Sequence, residues 1–233
     1  LPDGSVKQFE GPVTGAQVAE SIGAGLLRAA VAISVDGREQ DLSVLITEDA
    51  SVSILTLRDE AGLDVMRHTI AAQVLARAAR DMFPGAKLAI GPTIEHGFYY
   101  DIEFTRPISD DDLPQIEKRM NEIVKEKNAI EMRLLPRAEA IQLFKDRDEP
   151  YKVDIIERTE GQEDFQIYFQ DGSEFVDLCR GPHLPNLSQV GAFKLTKIAG
   201  AYWRGDSNNK MLTRIYGTAF SDKKALKKHL HML

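Results

Sequence analysis

Five side chains of this sequence have types that can combine into a reactive site: His68, Lys152, Asp177, Cys179 and His183. Three of them share one run, Val176-Asp177-Leu178-Cys179-Arg180-Gly181-Pro182-His183. Gly181 and Pro182 forbid a continuous helix there. The run therefore reads as a strand leaving into a loop, where backbone can curve around a ligand. Cys-x-x-x-His with a distant histidine has the donor types of a metal site, and three protein ligands plus water suit catalytic zinc. The same residues read more ordinarily as a small buried hydrophobe and a loop histidine. His68, alone on a helix, has an ordinary structural reading beside the functional one. Lys152 follows Pro150 and reads as a solvated lysine unless a partner holds it. Gly97-Phe98-Tyr99-Tyr100-Asp101 can line a pocket or fill a core. Trp203, the only tryptophan, lies among turn residues beside Arg204. It can stack on a nucleotide base or pin a loop.

The elements that must position these groups are legible in outline. Thr14-Gly15-Ala16-Gln17 is a capping box that opens a helix running to about Ile22 and stopping at Gly23. Residues 30–35 read as a strand, Asp36-Gly37 as a hairpin turn, and residues 51–57 as a last strand. A short sheet gripping one helix is expected. Residues 58–62 are charged and short, and form the candidate boundary. A helix is expected over 64–82, with Asp64 as its N-cap and Ala71, Leu75, Ala78, Ala79 and Met82 as its apolar stripe. Phe83-Pro84-Gly85 ends it. Strands are expected at 87–90 and 97–102, helices at 111–127 and 138–144. Residues 166–170 and 173–178 flank Asp171-Gly172 as a two-residue hairpin.

With 43% hydrophobic and 28% charged residues, the 233-residue chain has the composition of an ordinary globular protein of one large or two modest domains. No apolar run approaches the roughly 18 residues of a membrane span, and no signal-peptide pattern is present. A lone cysteine cannot form a disulfide within the chain, and a reducing cytoplasm is the simplest compartment. The net charge of −7 is uneven, negative over residues 1–61 and positive over 186–233. Nonspecific DNA binding favours a basic protein. One basic stretch on an acidic chain fits a defined contact with RNA or an acidic partner, although Lys223, Lys224, Lys227 and Lys228 also read as the wet face of a helix. The chain opens without methionine and closes inside a helical pattern, as a piece of something longer would.

Phe193 to Leu212, with Tyr202-Trp203-Arg204-Gly205-Asp206-Ser207-Asn208-Asn209 inside it, followed by Arg214-Ile215-Tyr216-Gly217-Thr218, resembles bacterial threonyl-tRNA synthetases. Ile90-Gly91-Pro92, Gly97 to Asp101 and Asp177 to Pro185 resemble them too. The resemblance implies an α+β chain. Residues 1–61 would be a small ubiquitin-like β-grasp (TGS) domain. Residues 62–225 would be an α/β editing domain of the threonyl/alanyl-tRNA synthetase type, and 226–233 the start of a linker helix to a synthetic domain. That domain, with its ATP, magnesium and zinc, is not in this sequence, so no cofactor is expected here.

Editing has a simple physical cause. Serine is threonine without one methyl, and a missing methyl is worth only about 1–3 kcal/mol of discrimination. A second site that hydrolyses seryl-tRNA and refuses the extra methyl supplies the rest. The resemblance implies His68, Lys152, Asp177, Cys179 and His183 as editing-site residues. His68 and Lys152 would position or activate water, and Asp177 would orient the amino group or a partner side chain. Cys179 and His183 would shape the serine pocket and hold the substrate. Tyr99 or Tyr100 would pack on the terminal adenosine, with Arg180, Gly181 and Ala72 also on the substrate side. Ala72 is a departure, since the family usually has a second histidine there, one turn after the first. A four-ligand zinc site is thereby incomplete, and no zinc is expected. The implied partners are tRNA(Thr) and Ser-tRNA(Thr), with this chain monomeric and the complete enzyme a homodimer. The alternatives are a tRNA-docking module with a decayed site and a metal-dependent hydrolase.

Overall fold

The computed structural model describes residues 1–233. β1 (Val13–Thr14) leads into α1 (Gly15–Ile22), whose capping box forms as its residues dictate. Thr14 Oγ1 accepts from the Gln17 amide at 3.1 Å, and Gln17 Oε1 accepts from the Thr14 amide at 2.8 Å. Gly23 ends α1, but a further short helix, α2 (Ala24–Ala29), follows it at once. β2 (Ala30–Val35) turns at Asp36-Gly37 into β3 (Arg38–Gln40), and β4 (Leu45–Ile46) and β5 (Val52–Thr56) complete this part. The order β3-β2-β5 is antiparallel, and β1 pairs with β4. Val18 and Ala19 of α1 pack against Ile33 and Leu42 in a small core of their own.

A long helical rod follows: α3 (Glu60–Thr69), a π-helical stretch (Ile70–Leu75) and α4 (Ala76–Met82). The rod starts four residues earlier than the sequence reading placed it. Asp59, not Asp64, stands at its entrance, because the Asp59 carboxylate accepts the Thr56 amide and fixes the turn out of β5. Asp64 lies inside the helix and pairs with Arg67. Ala61 and Gly62, where a boundary was expected, are in the first turn of that helix.

β6 (Lys87–Leu88), β7 (Thr93–Ile94) and β8 (Gly97–Glu103) come next, then α5 (Leu113–Lys125). β9 (Ile130–Pro136), α6 (Arg137–Asp146), α7 (Pro150–Arg158), β10 (Asp164–Gln170) and β11 (Val176–Leu178) form a second group. The long strands β12 (Ala192–Tyr202) and β13 (Met211–Phe220) and the helix α8 (Lys223–Met232) close the chain. β12-β13-β8-β6 form an antiparallel sheet with β7 on β8, and β11-β10-β9 form another. The turn after β10 is longer than the two residues expected: Phe169 pairs with Val176, and Asp171 to Phe175 make the connection.

The main core surrounds the rod. Met66, Ile70, Leu75 and Ala79 meet Phe98, Ile102 and Ile215 of the sheet and Ile116, Met120 and Ile123 of α5. Val31, Ala32 and Leu55 of the N-terminal part belong to this same core, so the rod is wedged between the two parts of the chain. A separate core under the second sheet joins Ala140, Phe144 and Ile156 to Phe165, Ile167 and Val176. No helix is long and apolar enough to cross a membrane.

Candidate functional site

A cleft of about 490 Å³ is bordered by α3, the 90–93 segment, α7 and the exit from β11. His68, Ala72, Tyr100, Lys152, Asp177, Cys179, Arg180 and Gly181 line it. Eight of the ten residues singled out from the sequence are therefore together, although they come from four separate stretches of chain.

His68 sits near the end of α3, just before the π-helical stretch that carries Ala72. Its Nδ1 lies 3.2 Å from the Gly91 carbonyl oxygen. A carbonyl can only accept, so Nδ1 carries the proton and Nε2 the lone pair. The absence of a side chain at Gly91 lets the Tyr100 ring pack against this segment, because a Cβ there would lie 2.2 Å from that ring. Nε2 in turn is 2.6 Å from Cys179 Sγ, so the thiol donates to the imidazole. Burial pushes His68 down to about 4, with the Lys152 charge adding to it. Burial, with the Asp177 charge, pushes the Cys179 thiol up to about 12. The pair is therefore neutral on both sides. The Gly181 amide also donates to the sulfur, at 3.2 Å, from a backbone with φ of +63°.

Lys152 is not the solvated lysine its sequence context suggests. Pro150 opens α7 and places Lys152 in its first turn, where it is 3% exposed. Its ammonium group donates to the Ala89 carbonyl at 2.7 Å and to the Tyr100 hydroxyl at 2.9 Å. It also pairs with Asp177 at 2.9 Å. Two of its three donors are thus spent on neutral oxygens, and the Asp177 carboxylate balances its charge. Asp177 is 1% exposed, and burial raises its carboxyl while Lys152 opposes the shift. Burial and the surrounding carboxylates push the Tyr100 phenol well above its ordinary value. Tyr100 thus accepts from Lys152 and keeps its own proton for a second partner.

Three expectations are corrected here. Tyr99 does not line the cleft, because neighbouring residues of a strand face opposite sides; Arg214 stacks over its ring at 3.9 Å. Tyr100 lines the cleft but is buried with its hydroxyl held by Lys152, so it offers no open face for an adenosine. His183 stands behind the cleft rather than in it, 2% exposed, its ring stacked on His68 at 4.8 Å and 8°. Trp203 pins a loop: its Nε1 donates to Asp154 at 3.2 Å, and its ring meets Tyr151 edge-on at 4.9 Å.

His183 is fixed by a residue that sequence reasoning missed. Its Nδ1 is 2.9 Å from Thr69 Oγ1. That hydroxyl donates to the Val65 carbonyl at 2.7 Å and accepts the Leu184 amide at 3.0 Å. With the single hydroxyl proton spent on Val65, Nδ1 of His183 is assigned as the donor. Burial, with His68 adding, holds the ring well below its usual pKa. Its Nε2 is buried with no partner. Thr69 is adjacent to His68 in sequence, but nothing in the sequence marks it as more than a helix residue. Glu149, also missed, ties the start of α7 to β6 by accepting the Leu88 amide at 2.9 Å, and it pairs with Arg80 at 3.0 Å.

His68, Cys179 and His183 offer donor atoms within 4.8 Å of one another, and their types suit a divalent metal. The two nearest of them contact each other directly in this structure. Nitrogen and sulfur on one tetrahedral zinc ion, at the usual bond lengths, are about 3.5 Å apart. His68 Nε2 and Cys179 Sγ, at 2.6 Å, are hydrogen-bonded to each other and closer than that. Ala72 has no donor to add.

Asp177, Cys179 and His183 of this cluster lie in a recognised class of domain. Residues 166–216 match the family described as the threonyl and alanyl tRNA synthetase second additional domain. The relatives are more particular. Over all of its residues the chain is 51% identical to the threonine–tRNA ligase of Marinobacter nauticus and 52% identical to that of Rhodospirillum rubrum. It spans 36% of the length of each. The chain is thus homologous throughout to a part of bacterial threonine–tRNA ligases and carries the domain that threonyl and alanyl tRNA synthetases share.

Proposed function

We propose that this chain is the editing region of a threonine–tRNA ligase and hydrolyses the ester of serine wrongly joined to tRNA(Thr). The observation that carries the reading is the cleft itself. In it a neutral His68–Cys179 pair faces a Tyr100 hydroxyl polarised by buried Lys152. The relatives' identity supplies the substrate class.

In this reading water attacks the ester carbonyl. The bond between the carbonyl carbon and the tRNA ribose oxygen breaks, serine leaves as the free acid, and the proton taken from water passes to that ribose oxygen. His68 accepts the water's proton at Nε2 as the thiol turns aside, since Gly91 holds the other nitrogen protonated. Tyr100 donates to the carbonyl oxygen as negative charge develops on it, and Lys152 strengthens that donor. Asp177 orients Lys152 rather than the substrate. Cys179 is a hydrogen-bond donor and a wall of the serine pocket. A thiol pushed up to about 12 is not an activated nucleophile. His183 buttresses His68 from behind. No step passes through a metal ion.

The test is release of serine from Ser-tRNA(Thr) by the wild-type chain and by Lys152→Met. Release by the wild type, slowed at least about a hundredfold in the variant, supports the reading, in line with loss of an oxyanion donor's support. A wild type that binds this tRNA without releasing serine makes the chain a docking module instead. Stoichiometric zinc in the purified, active protein would contradict the metal-free route.

A further inference from the structure

The hydrolytic site is held from outside its own domain. Asp41, in the N-terminal part between β3 and β4, reaches across to the loop after β11. Its Oδ1 accepts the His183 amide at 2.9 Å, and its Oδ2 accepts the Tyr168 hydroxyl at 2.6 Å. These partners lie 142 and 127 residues away in the chain.

Each partner touches the site. The Tyr168 ring sits edge-on to the His183 ring at 4.4 Å, and His183 stacks on His68. Tyr168 also sets the path of the loop, since a Cβ on Gly181 would lie 1.9 Å from its hydroxyl oxygen. Gly181 in turn gives its amide to Cys179. One carboxylate therefore fixes a loop amide and a phenol that between them locate His183, Gly181 and, through these, His68 and Cys179. Tyr168 is 1% exposed, so losing its acceptor would leave a buried hydroxyl with no partner. Glu39 on β3 lines the cleft as well, which brings the N-terminal part to the site at a second point.

We propose that Asp41 is a positioning residue of the hydrolytic site, supplied by the N-terminal part of the chain to clamp the 179–184 loop. This rests on the hydrolytic reading above. A positional hold of this kind acts on the rate of the chemical step rather than on substrate affinity.

Two measurements test it on the full chain. The first is single-turnover release of serine by wild type, Asp41→Ala, Asp41→Asn and Tyr168→Phe, resolved into maximal rate and half-saturating concentration. The second is the alkylation rate of Cys179 by iodoacetamide at mildly alkaline pH, which is clean because the chain has one cysteine. Asp41→Ala is expected to lower the maximal rate about tenfold or more at near-constant half-saturation and to speed alkylation several-fold. Asp41→Asn keeps an acceptor for the His183 amide and should restore most of both. Tyr168→Phe cuts one arm and should fall between them, and it carries the test if Asp41→Ala does not fold. Wild-type maximal rate and alkylation in both Asp41→Ala and Tyr168→Phe would overturn the proposal. A wild type inactive on seryl-tRNA defeats the hydrolytic reading alone, because alkylation still reports whether Asp41 holds the loop.

Discussion

A cysteine 2.6 Å from a histidine invites comparison with thiolate–imidazolium nucleophiles, and the surroundings decide against it. Burial opposes charge on both partners, and Asp177 adds negative charge near the sulfur. What remains is a neutral pair in which the ring accepts and the thiol donates. Thr69 keeps the second ring in place, and its value can be measured. Thr69→Val leaves the Leu184 amide and His183 Nδ1 buried without an acceptor. It should cost about 2–4 kcal/mol in urea unfolding, from two unmet donors, and it should lower serine release. A cost below about 0.5 kcal/mol would show that the hydroxyl does not anchor His183. Some of these residues were legible in advance and some were not. His68, Cys179 and Asp177 were candidates by type, and the family resemblance rather than spacing singled them out. Lys152 read as solvent-exposed, because its burial depends on Asp177 and Tyr100, which lie far from it in the sequence. Asp41 had no signal at all, being one acidic residue in an acidic stretch.

Two elements decide where these residues point. The helical rod widens into a π-helical stretch directly after His68 and Thr69, a local form often found at functional sites. The sequence shows a helix there but not the change of winding. Helix α7 was missed, because Pro150 reads as a turn as readily as a helix start. β9 was missed too, although Ile130-Glu131-Met132-Arg133-Leu134 alternates apolar and charged residues as a half-buried strand does. Glu149 anchors α7, and burial raises its carboxyl to about 7. A group whose folded pKa lies above its unfolded value stabilises the fold below the unfolded pKa and loses that contribution as pH rises through the folded one. Glu149 should therefore favour the fold near pH 4.5 and below, and progressively less toward pH 7 and above. Glu149→Gln removes this dependence. Its melting temperature relative to wild type should move upward between about pH 5 and about pH 8. A difference independent of pH would contradict the assignment.

At the scale of the molecule, the rod carries His68 on one side of a core to which both parts of the chain contribute. The capping box, the hairpin at Asp36-Gly37, β2 and the rod's apolar stripe all followed from local pattern. The join between the parts did not. It is made by Val31, Ala32 and Leu55 packing on the rod and by Asp41 reaching the loop, contacts that no local pattern encodes. Under the proposed function, the cleft these parts border accepts serine and refuses one more methyl. That claim is tested most directly by releasing amino acid from Ser-tRNA(Thr) and Thr-tRNA(Thr) under identical single-turnover conditions. Serine should leave at least about tenfold faster than threonine, the discrimination a single methyl can give. Equal rates for the two esters, or no release of serine above the uncatalysed rate, would contradict it.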